Sequence, residues 1–148
     1  MGNLKTINVM LDEGAYMPTR AHESDAGMDL YTPIDFTIGY GDSKSIDTGV
    51  HIEIPDGYVG FLKSKSGLNV KNNIITEGVI DAGYTGSIVV KVRSVGSVGD
   101  YINSSKRFKK GDKISQLVIL PIETPKCVLV DSFKETERGS DGFGSTGT

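Results

Sequence analysis

Short runs rich in β-branched residues, separated at close intervals by glycine-bearing turns, constrain the fold of this chain more than any other feature. The candidate strands are residues 6–11, 45–54, 58–62, 87–92, 114–122 and 126–130. Sequences such as Pro55-Asp56-Gly57 mark turns between them. No window of helical length carries a 3.6-residue apolar stripe, and one short helix near residues 67–72 is the most that the pattern allows. The sequence therefore predicts an all-β sandwich or barrel.

The length and the metal-binding residue types narrow the possibilities further. A chain of 148 residues is the size of one domain and can form a core without covalent cross-links. The single cysteine, Cys127, excludes an intrachain disulfide, and its apolar neighbours predict that it is a small buried hydrophobe. With His22 and His51 as the only histidines, a structural zinc site is nearly excluded. Any metal is expected to be a hard cation bound by oxygen.

The charge pattern argues against nucleic acid and membranes as partners. The net charge of −3 provides no global field that would attract nucleic acid. The basic cluster at residues 106–110 precedes a Gly-Asp turn and is interpreted as a solvated loop. No apolar run approaches the roughly 20 residues of a membrane span, and no signal peptide is evident. We expect a cytoplasmic protein.

Two polar segments stand apart from the candidate strands. Residues 94–105 are polar and glycine-bearing, and are interpreted as a surface insertion between two strands. Residues 135–148 are rich in glycine and serine and have too few apolar side chains to pack alone. This tail is either a frayed terminus or an arm that orders over a ligand. The predicted organisation is a β-domain at residues 1–134 and a flexible arm at residues 135–148.

The tail contains a literal G-x-G-x-x-G at residues 142–147. The dinucleotide-binding form of this motif follows a strand and opens a helix, but here the chain ends one residue later. Closely spaced glycines still let backbone N–H groups approach phosphate, and Arg138, Ser145 and Thr146 add further donors. Phe143 could cover a base. From residue types alone, phosphate binding and a frayed tail are equally good interpretations.

Residues 78–86 (GVIDAGYTG) place an acid and an aromatic ring on one tight turn. A carboxylate such as Asp81 beside a ring such as Tyr84 can hold a water molecule and a flat substrate. Taken alone, an ordinary hairpin that Asp81 caps is the better interpretation. Three other segments, at residues 26–30, 65–68 and 111–117, are weaker still when each is taken alone.

Together and in this order, five segments resemble the signature of the trimeric dUTPase family. They are residues 26–30 (AGMDL), 65–68 (KSGL), 78–86 (GVIDAGYTG), 111–117 (GDKISQL) and 138–147 (RGSDGFGSTG). The similarity extends from about residue 17 to the C-terminus. It implies a jelly-roll-like β-fold, a homotrimer with three active sites that are each shared by three subunits, and Mg²⁺-dependent hydrolysis of dUTP to dUMP and pyrophosphate.

The resemblance also implies roles for the residues of the third segment. Backbone groups near Val79 and Ile80 would recognise uracil, and Tyr84 would stack under the deoxyribose and exclude a 2′-hydroxyl. Asp81 would hold the water molecule that attacks the α-phosphorus.

Other subunits would supply the remaining groups of the site. The phosphates would be contacted by Lys65, Ser66, Gly67 and Gln116. Asp29 would act through water on a Mg²⁺ that binds the phosphates. The arm of a third chain would close over the nucleotide through Arg138, Phe143, Gly144, Ser145 and Thr146.

Three departures from the usual family pattern are apparent. Lys65 stands where arginine is usual and lacks the bidentate fork, so phosphate positioning there is expected to differ. Thr85 replaces a frequent arginine, with little expected consequence. The insertion at residues 94–105 resembles that of some phage dUTPases of Gram-positive hosts, which suggests a phage or prophage origin.

Two alternative functions remain. A nucleotide-sensing trimer could use residues 94–105 to bind a regulatory protein partner. A dCTP deaminase-like enzyme is the weaker alternative, because Lys91 stands at the position where such relatives carry a catalytic glutamate.

Overall fold

The computed structural model describes residues 3–96 and 105–144. Over these ranges the chain forms eleven β-strands and one short α-helix. The elements are β1 (Asn8–Leu11), β2 (Gly27–Tyr31), β3 (Phe36–Ile38), β4 (Ser43–Asp47), β5 (Val50–Glu53), β6 (Tyr58–Lys63), α1 (Ser66–Asn72), β7 (Ile74–Thr76), β8 (Gly78–Ile80), β9 (Val89–Ser94), β10 (Lys106–Phe108) and β11 (Lys113–Pro121).

The strands form two larger sheets and two strand pairs. One sheet has the order β2-β11-β6-β8 and the other has the order β4-β9-β7, while β1 pairs with β5 and β10 pairs with β3. Every described pairing is antiparallel. The predicted all-β, jelly-roll-like fold with one short helix is confirmed.

The core lies between these sheets and follows the two-residue period of the strands. In β9, Val90 and Val92 point inward while Lys91 and Arg93 face outward. Phe36 and Phe108 stack between β3 and β10 with ring centroids 4.6 Å apart. A fully buried side chain of this kind contributes roughly 1.5–3 kcal/mol, so the alternation fixes the strand register.

The predicted strand at residues 45–54 is divided in two. Gly49 has a φ of +68°, and a Cβ there would lie 2.9 Å from the Cβ of Ala15. The preceding Thr48 turns its hydroxyl to the carbonyl oxygen of Ile88 at 2.7 Å. The run therefore bends at Thr48-Gly49 instead of continuing as one strand.

The prediction of a strand at residues 126–130 and of a buried Cys127 is wrong for the single chain. These residues form no strand, Cys127 is exposed, and Leu129 is 98% exposed. A β-prone run forms a strand only where a neighbouring strand completes its hydrogen bonds, and none of the described strands lies beside it.

The two polar segments are described only in part. Ser94 is the buried last residue of β9, and residues 97–104 of the predicted insertion lie outside the described residues. The packed body ends with β11, and residues 120–141 are exposed. The division at residues 134 and 135 stays a prediction. No described helix is both long and apolar enough to cross a membrane.

Candidate active site

A buried carboxylate paired with two lysines lies where three of the five signature segments meet. Asp29, on β2, is 4% exposed. Its Oδ2 lies 2.9 Å from the Nζ of Lys113, and its Oδ1 accepts a hydrogen bond from the Nζ of Lys65. Burial alone would raise the pKa of Asp29, but the hydrogen bonds and positive charges of the two lysines outweigh it and hold the pKa below its usual value.

Gln116, in the fourth segment, contacts the first segment and the residue before the second. It is the register partner of Asp29 on the adjacent strand β11. Its Nε2 donates to the carbonyl oxygen of Ser64 at 2.9 Å, and its Cβ lies 3.0 Å from the place a Cβ would take on Gly27. A side chain at residue 27 would therefore displace Gln116, which explains the glycine in the first segment.

A buried network of hydroxyl groups fixes the backbone that leads into α1. The hydroxyls of Thr76 and Ser115 are hydrogen-bonded at 2.7 Å, and Ser115 also donates to the carbonyl oxygen of Lys63 at 3.1 Å. The Oγ of Ser64 accepts from the N–H of Thr76 at 3.0 Å. Each of these hydroxyls has a partner, so the network adds rigidity without an unsatisfied polar group.

Lys65, Ser66 and Gly67 stand where β6 turns into α1. Lys65 is the N-cap residue, and Ser66 and Gly67 form the first turn of the helix and are exposed. The first N–H groups of a helix have no carbonyl partner within it, so they can donate to an outside acceptor.

The third segment forms β8 and a tight turn that carries Asp81 and Tyr84. The N–H of Tyr84 donates to the carbonyl oxygen of Asp81 at 3.2 Å, and Gly83 has a φ of +83°. The side chain of Asp81 is exposed and has no hydrogen-bond or ion-pair partner among the residues that the structure describes. A free carboxylate at a turn can accept a hydrogen bond from water.

The ring of Tyr84 is held in one position. Its hydroxyl donates to the carbonyl oxygen of Ser87 at 2.9 Å. A Cβ on Gly86 would lie 2.6 Å from the Cζ of Tyr84, so the ring lies directly over the glycine. Tyr84 remains 45% exposed, which leaves its other face open.

The single chain does not bring the third segment together with the second. Ile80 pairs with Gly60, three residues before β6 ends at Lys63. Asp81 therefore lies beyond that pair, about 10 Å or more along the strand from the end that leads to Ser66. One chain holds two partial sites at opposite ends of β6.

The fifth segment contacts neither of these partial sites in the part of the chain that the structure describes. Arg138 donates from Nε to the carbonyl oxygen of Asp141 at 2.8 Å, within its own turn. Phe143 is fully exposed with a φ of +50°, and Gly144 is exposed as well. The predicted donors Ser145 and Thr146 lie outside the described residues.

Some residues of this region were not singled out from the sequence. Lys113 lies inside the quoted fourth segment, but it is three residues from Gln116, so strand alternation alone would place the two side chains on opposite faces. The register shift between Lys113 and Ser115, which the sequence does not reveal, interrupts that alternation. The hydroxyl network carries no sequence signal, because it depends on which strands are neighbours.

The described side chains would fit a hydrated magnesium ion better than one that protein ligands coordinate directly. No group of three or more candidate ligands from His, Cys, Asp and Glu is present among the described residues. Both oxygens of Asp29 are engaged by lysines. A hard ion that keeps water and binds phosphate needs only one nearby carboxylate, so Asp29 fits an outer role.

The turn offers a free acid and a fixed ring, which could hold a water molecule and a sugar. The separate cationic strand end could bind phosphate. This arrangement on a jelly-roll-like fold is the one expected of a nucleotide phosphohydrolase.

Comparison with known proteins defines the family. The family model for dUTPase matches residues 13–147. The deoxyuridine 5′-triphosphate nucleotidohydrolase of Clostridium kluyveri is 40% identical over 141 residues, with 93% of this chain and 94% of the relative covered. The chain belongs to the dUTPase family.

Two solved phage structures are similar over most of the chain. The Staphylococcus bacteriophage 80alpha dUTPase with dUPNHPP is 34% identical with a TM-score of 0.89, and 98% of this chain and 100% of that chain are covered. A mutant dUTPase of phage phi11 of S. aureus, which reveals the coordination of a structural Mg(II) ion, is 32% identical with a TM-score of 0.78; 86% of this chain and 98% of that chain are covered.

Proposed function

We propose that this protein hydrolyses dUTP to dUMP and pyrophosphate at sites formed between the subunits of a homotrimer. The observation that carries the proposal is the free carboxylate of Asp81 beside the fixed ring of Tyr84, in a chain of the dUTPase family. The phage 80alpha relative was solved with dUPNHPP, a compound of the same nucleotide class.

Uracil would bind along β8. This strand is the edge of its sheet, so one side of its backbone has no described strand beside it. The backbone groups of Val79 and Ile80 are therefore available to hydrogen-bond the base. A tight hairpin also leaves little room for a 5-methyl group, which would exclude dTTP.

The deoxyribose would lie on the open face of Tyr84. Because the hydroxyl of Tyr84 is bound to the carbonyl oxygen of Ser87, the ring cannot swing aside for a larger sugar. A 2′-hydroxyl would meet the ring, and UTP would be rejected.

The triphosphate would bind at the other end of β6, on another subunit. The N–H groups of Ser66 and Gly67 would donate to oxygens between the α- and β-phosphates, where charge develops as pyrophosphate leaves. Gln116 and Lys65 would contact phosphate as well. Because Lys65 is already paired with Asp29, its charge would be shared between the carboxylate and the substrate.

Asp29 would contact the water shell of Mg²⁺ that enters with the triphosphate. When bound, the ion would supply positive charge to the phosphate oxygens. Direct coordination by Asp29 would have to displace Lys65 or Lys113, so a contact through water is the better fit.

The reaction would be an in-line displacement at the α-phosphorus. Asp81 would take a proton from a water molecule while the oxygen of that water forms a bond to phosphorus. The bond from the α-phosphorus to the bridging oxygen would break, and pyrophosphate would leave with the electron pair.

Two features of the single chain support its assembly into an oligomer. The apolar run at residues 127–130 is exposed, and the two partial sites lie apart on β6. A second and a third chain would cover the apolar run and bring Asp81 near Ser66. The arm of one subunit would then close over a neighbour through Arg138, Phe143, Gly144, Ser145 and Thr146.

The Asp81→Asn variant tests the mechanism. The side chain has no described partner, so the variant should fold normally, with a stability change within about 0.5 kcal/mol. Loss of the general base should lower kcat by roughly 10²–10⁴ while dUTP still binds. Pyrophosphate release and dUTP binding should be measured together. Full activity in this variant would remove Asp81 from the mechanism.

A regulatory function is a second candidate. Phage dUTPases such as that of phage 80alpha control transfer of virulence genes by a proto-oncogenic G protein-like mechanism. In this chain, the insertion at residues 94–105 would be the surface for a protein partner. Loss of partner binding after its deletion, with dUTP hydrolysis unchanged, would separate the two functions.

Deamination of dCTP remains the weaker alternative. Lys91 faces outward on β9, and an ammonium group cannot serve as the acid–base glutamate of such enzymes. We expect no ammonia release from dCTP.

A further inference from the structure

His51 contacts the turn that carries Tyr84, although it belongs to none of the five signature segments. It lies on β5, opposite Met10 of β1. Its Nδ1 is 2.8 Å from the carbonyl oxygen of Thr85, and its Nε2 is 3.1 Å from Oδ1 of Asp12. The side chain is 23% exposed, so it is packed against both partners but still reaches solvent.

Both partners of the His51 ring are hydrogen-bond acceptors only. A carbonyl oxygen and a carboxylate each require a donor, and a neutral imidazole has one N–H. Only the imidazolium form satisfies Thr85 and Asp12 at once. These two hydrogen bonds, with the nearby charges of Asp12 and Asp47, raise the pKa of His51 above its usual value.

A second set of hydrogen bonds anchors the same turn from the same side. Asp47 accepts from the hydroxyl of Ser87 and, at 2.9 Å, from the N–H of Gly49. The hydroxyl of Thr48 donates to the carbonyl oxygen of Ile88 at 2.7 Å. Ser87 is the residue whose carbonyl oxygen receives the hydroxyl of Tyr84. Residues 47–51 therefore hold the chain at Thr85, Ser87 and Ile88, directly after Tyr84 in sequence.

We infer that His51 is a positioning residue that holds the Tyr84 turn in its substrate-binding conformation, and that the hold weakens when the ring loses a proton. This inference rests on the proposed function, in which Tyr84 lies against the deoxyribose. His51 itself does not touch substrate in this scheme, so its effect should appear in substrate affinity and not in the chemical step.

The sign of the pH dependence follows from the raised pKa. Below the pKa of His51 in the folded protein, both ring N–H groups are present and both bonds are made. As the pH rises through that pKa, which lies above the ordinary value of about 6.5, the ring keeps one proton and must give up either Thr85 or Asp12. With either tautomer the link from Asp12 through the ring to Thr85 is broken, so the turn loosens and KM for dUTP rises.

The experiment is the pH profile of KM and kcat for dUTP, at fixed Mg²⁺, between pH 6 and 9. It compares the wild-type chain with Asp12→Asn, His51→Gln and His22→Gln. Asp12→Asn keeps an oxygen acceptor but removes the charge, so it should move the rise in KM to lower pH. Glutamine at residue 51 does not titrate, so its profile should lack that rise.

His22→Gln is the matched control. His22 is the only other histidine and also faces a carboxylate, with Nδ1 3.4 Å from Oδ2 of Asp25, but none of its described contacts is with the turn. Its profile should match that of the wild type. Titration of the substrate phosphates is common to all four proteins and cancels in the comparison.

We expect KM of the wild type to rise roughly threefold to tenfold across the transition, the effect of one hydrogen bond, with kcat changed little. If Asp12→Asn and wild type show the same profile, the inference is overturned, even if His51→Gln fails to fold. A change in kcat alone would also overturn it. Absence of dUTP hydrolysis in the wild type at every pH would instead refute the proposed function.

Discussion

Replacing Asp29 by asparagine should destabilise the protein in a way that depends on pH. The Asp29 side chain is 6% exposed, whereas those of Lys65 and Lys113 are 28% and 45% exposed. Removing one member of a fully buried ion pair costs about 3–5 kcal/mol. Here both lysines can turn to water and asparagine keeps an acceptor, so we expect a smaller loss, about 2 kcal/mol at pH 7. For a chain of this length, that loss corresponds to a midpoint temperature of thermal unfolding about 4–8 °C lower.

The pH dependence follows from the lowered pKa of Asp29. The stabilisation is fully present above the pKa in the unfolded chain, about 3.9, and is lost as the pH falls through the lower pKa of the folded state. The difference in the free energy of unfolding between wild type and Asp29→Asn should therefore be constant between about pH 5 and 8. It should shrink below about pH 4.

Thermal unfolding followed by circular dichroism measures this difference, at one protein concentration because association between subunits would add to stability. Asp56→Asn is the matched control, since Asp56 is exposed in a turn and has no described partner. If wild type and Asp29→Asn differ in stability equally at acid and neutral pH, or do not differ at pH 7, the two lysines do not stabilise the carboxylate.

Three further outcomes are expected. Lys65→Arg should change KM for dUTP more than the preference for dUTP over UTP and dTTP; the reverse would mean that residue 65 does not face phosphate. Deleting residues 138–148 should abolish most turnover while the mass by light scattering falls only by that of the deleted residues, because their described hydrogen bonds lie within residues 136–141. Gly86→Ala should displace the Tyr84 ring, since the new Cβ would lie 2.6 Å from Cζ, and should raise the use of UTP relative to dUTP.

The sequence predicted the architecture well where hydrophobic period and turns agree. The candidate strands at residues 58–62 and 114–122 correspond closely to β6 and β11, and the predicted helix corresponds to α1. The short strands β3, β7, β8 and β10 have three residues each, which is too few for a periodic pattern to emerge.

The wrong prediction of a buried strand around Cys127 has a physical cause. Cys127 and its neighbours have the composition of a buried strand, but none of the described strands of the single chain pairs with them. Composition specifies that a segment prefers burial and does not specify which chain buries it. For the same reason the signature segments could be recognised in order along the chain, while the pairing of Asp29 with Lys113 required the register of β2 and β11.

The distance between the two ends of β6 has a genetic consequence. If every pocket borrows Asp81 from one subunit and Ser66 from another, two inactive alleles with separate lesions should complement each other in mixed trimers. Conversely, a mutation in one subunit would inactivate sites that it shares with wild-type subunits. Inheritance of defects in this protein would then follow the composition of the assembly and not the state of any one polypeptide.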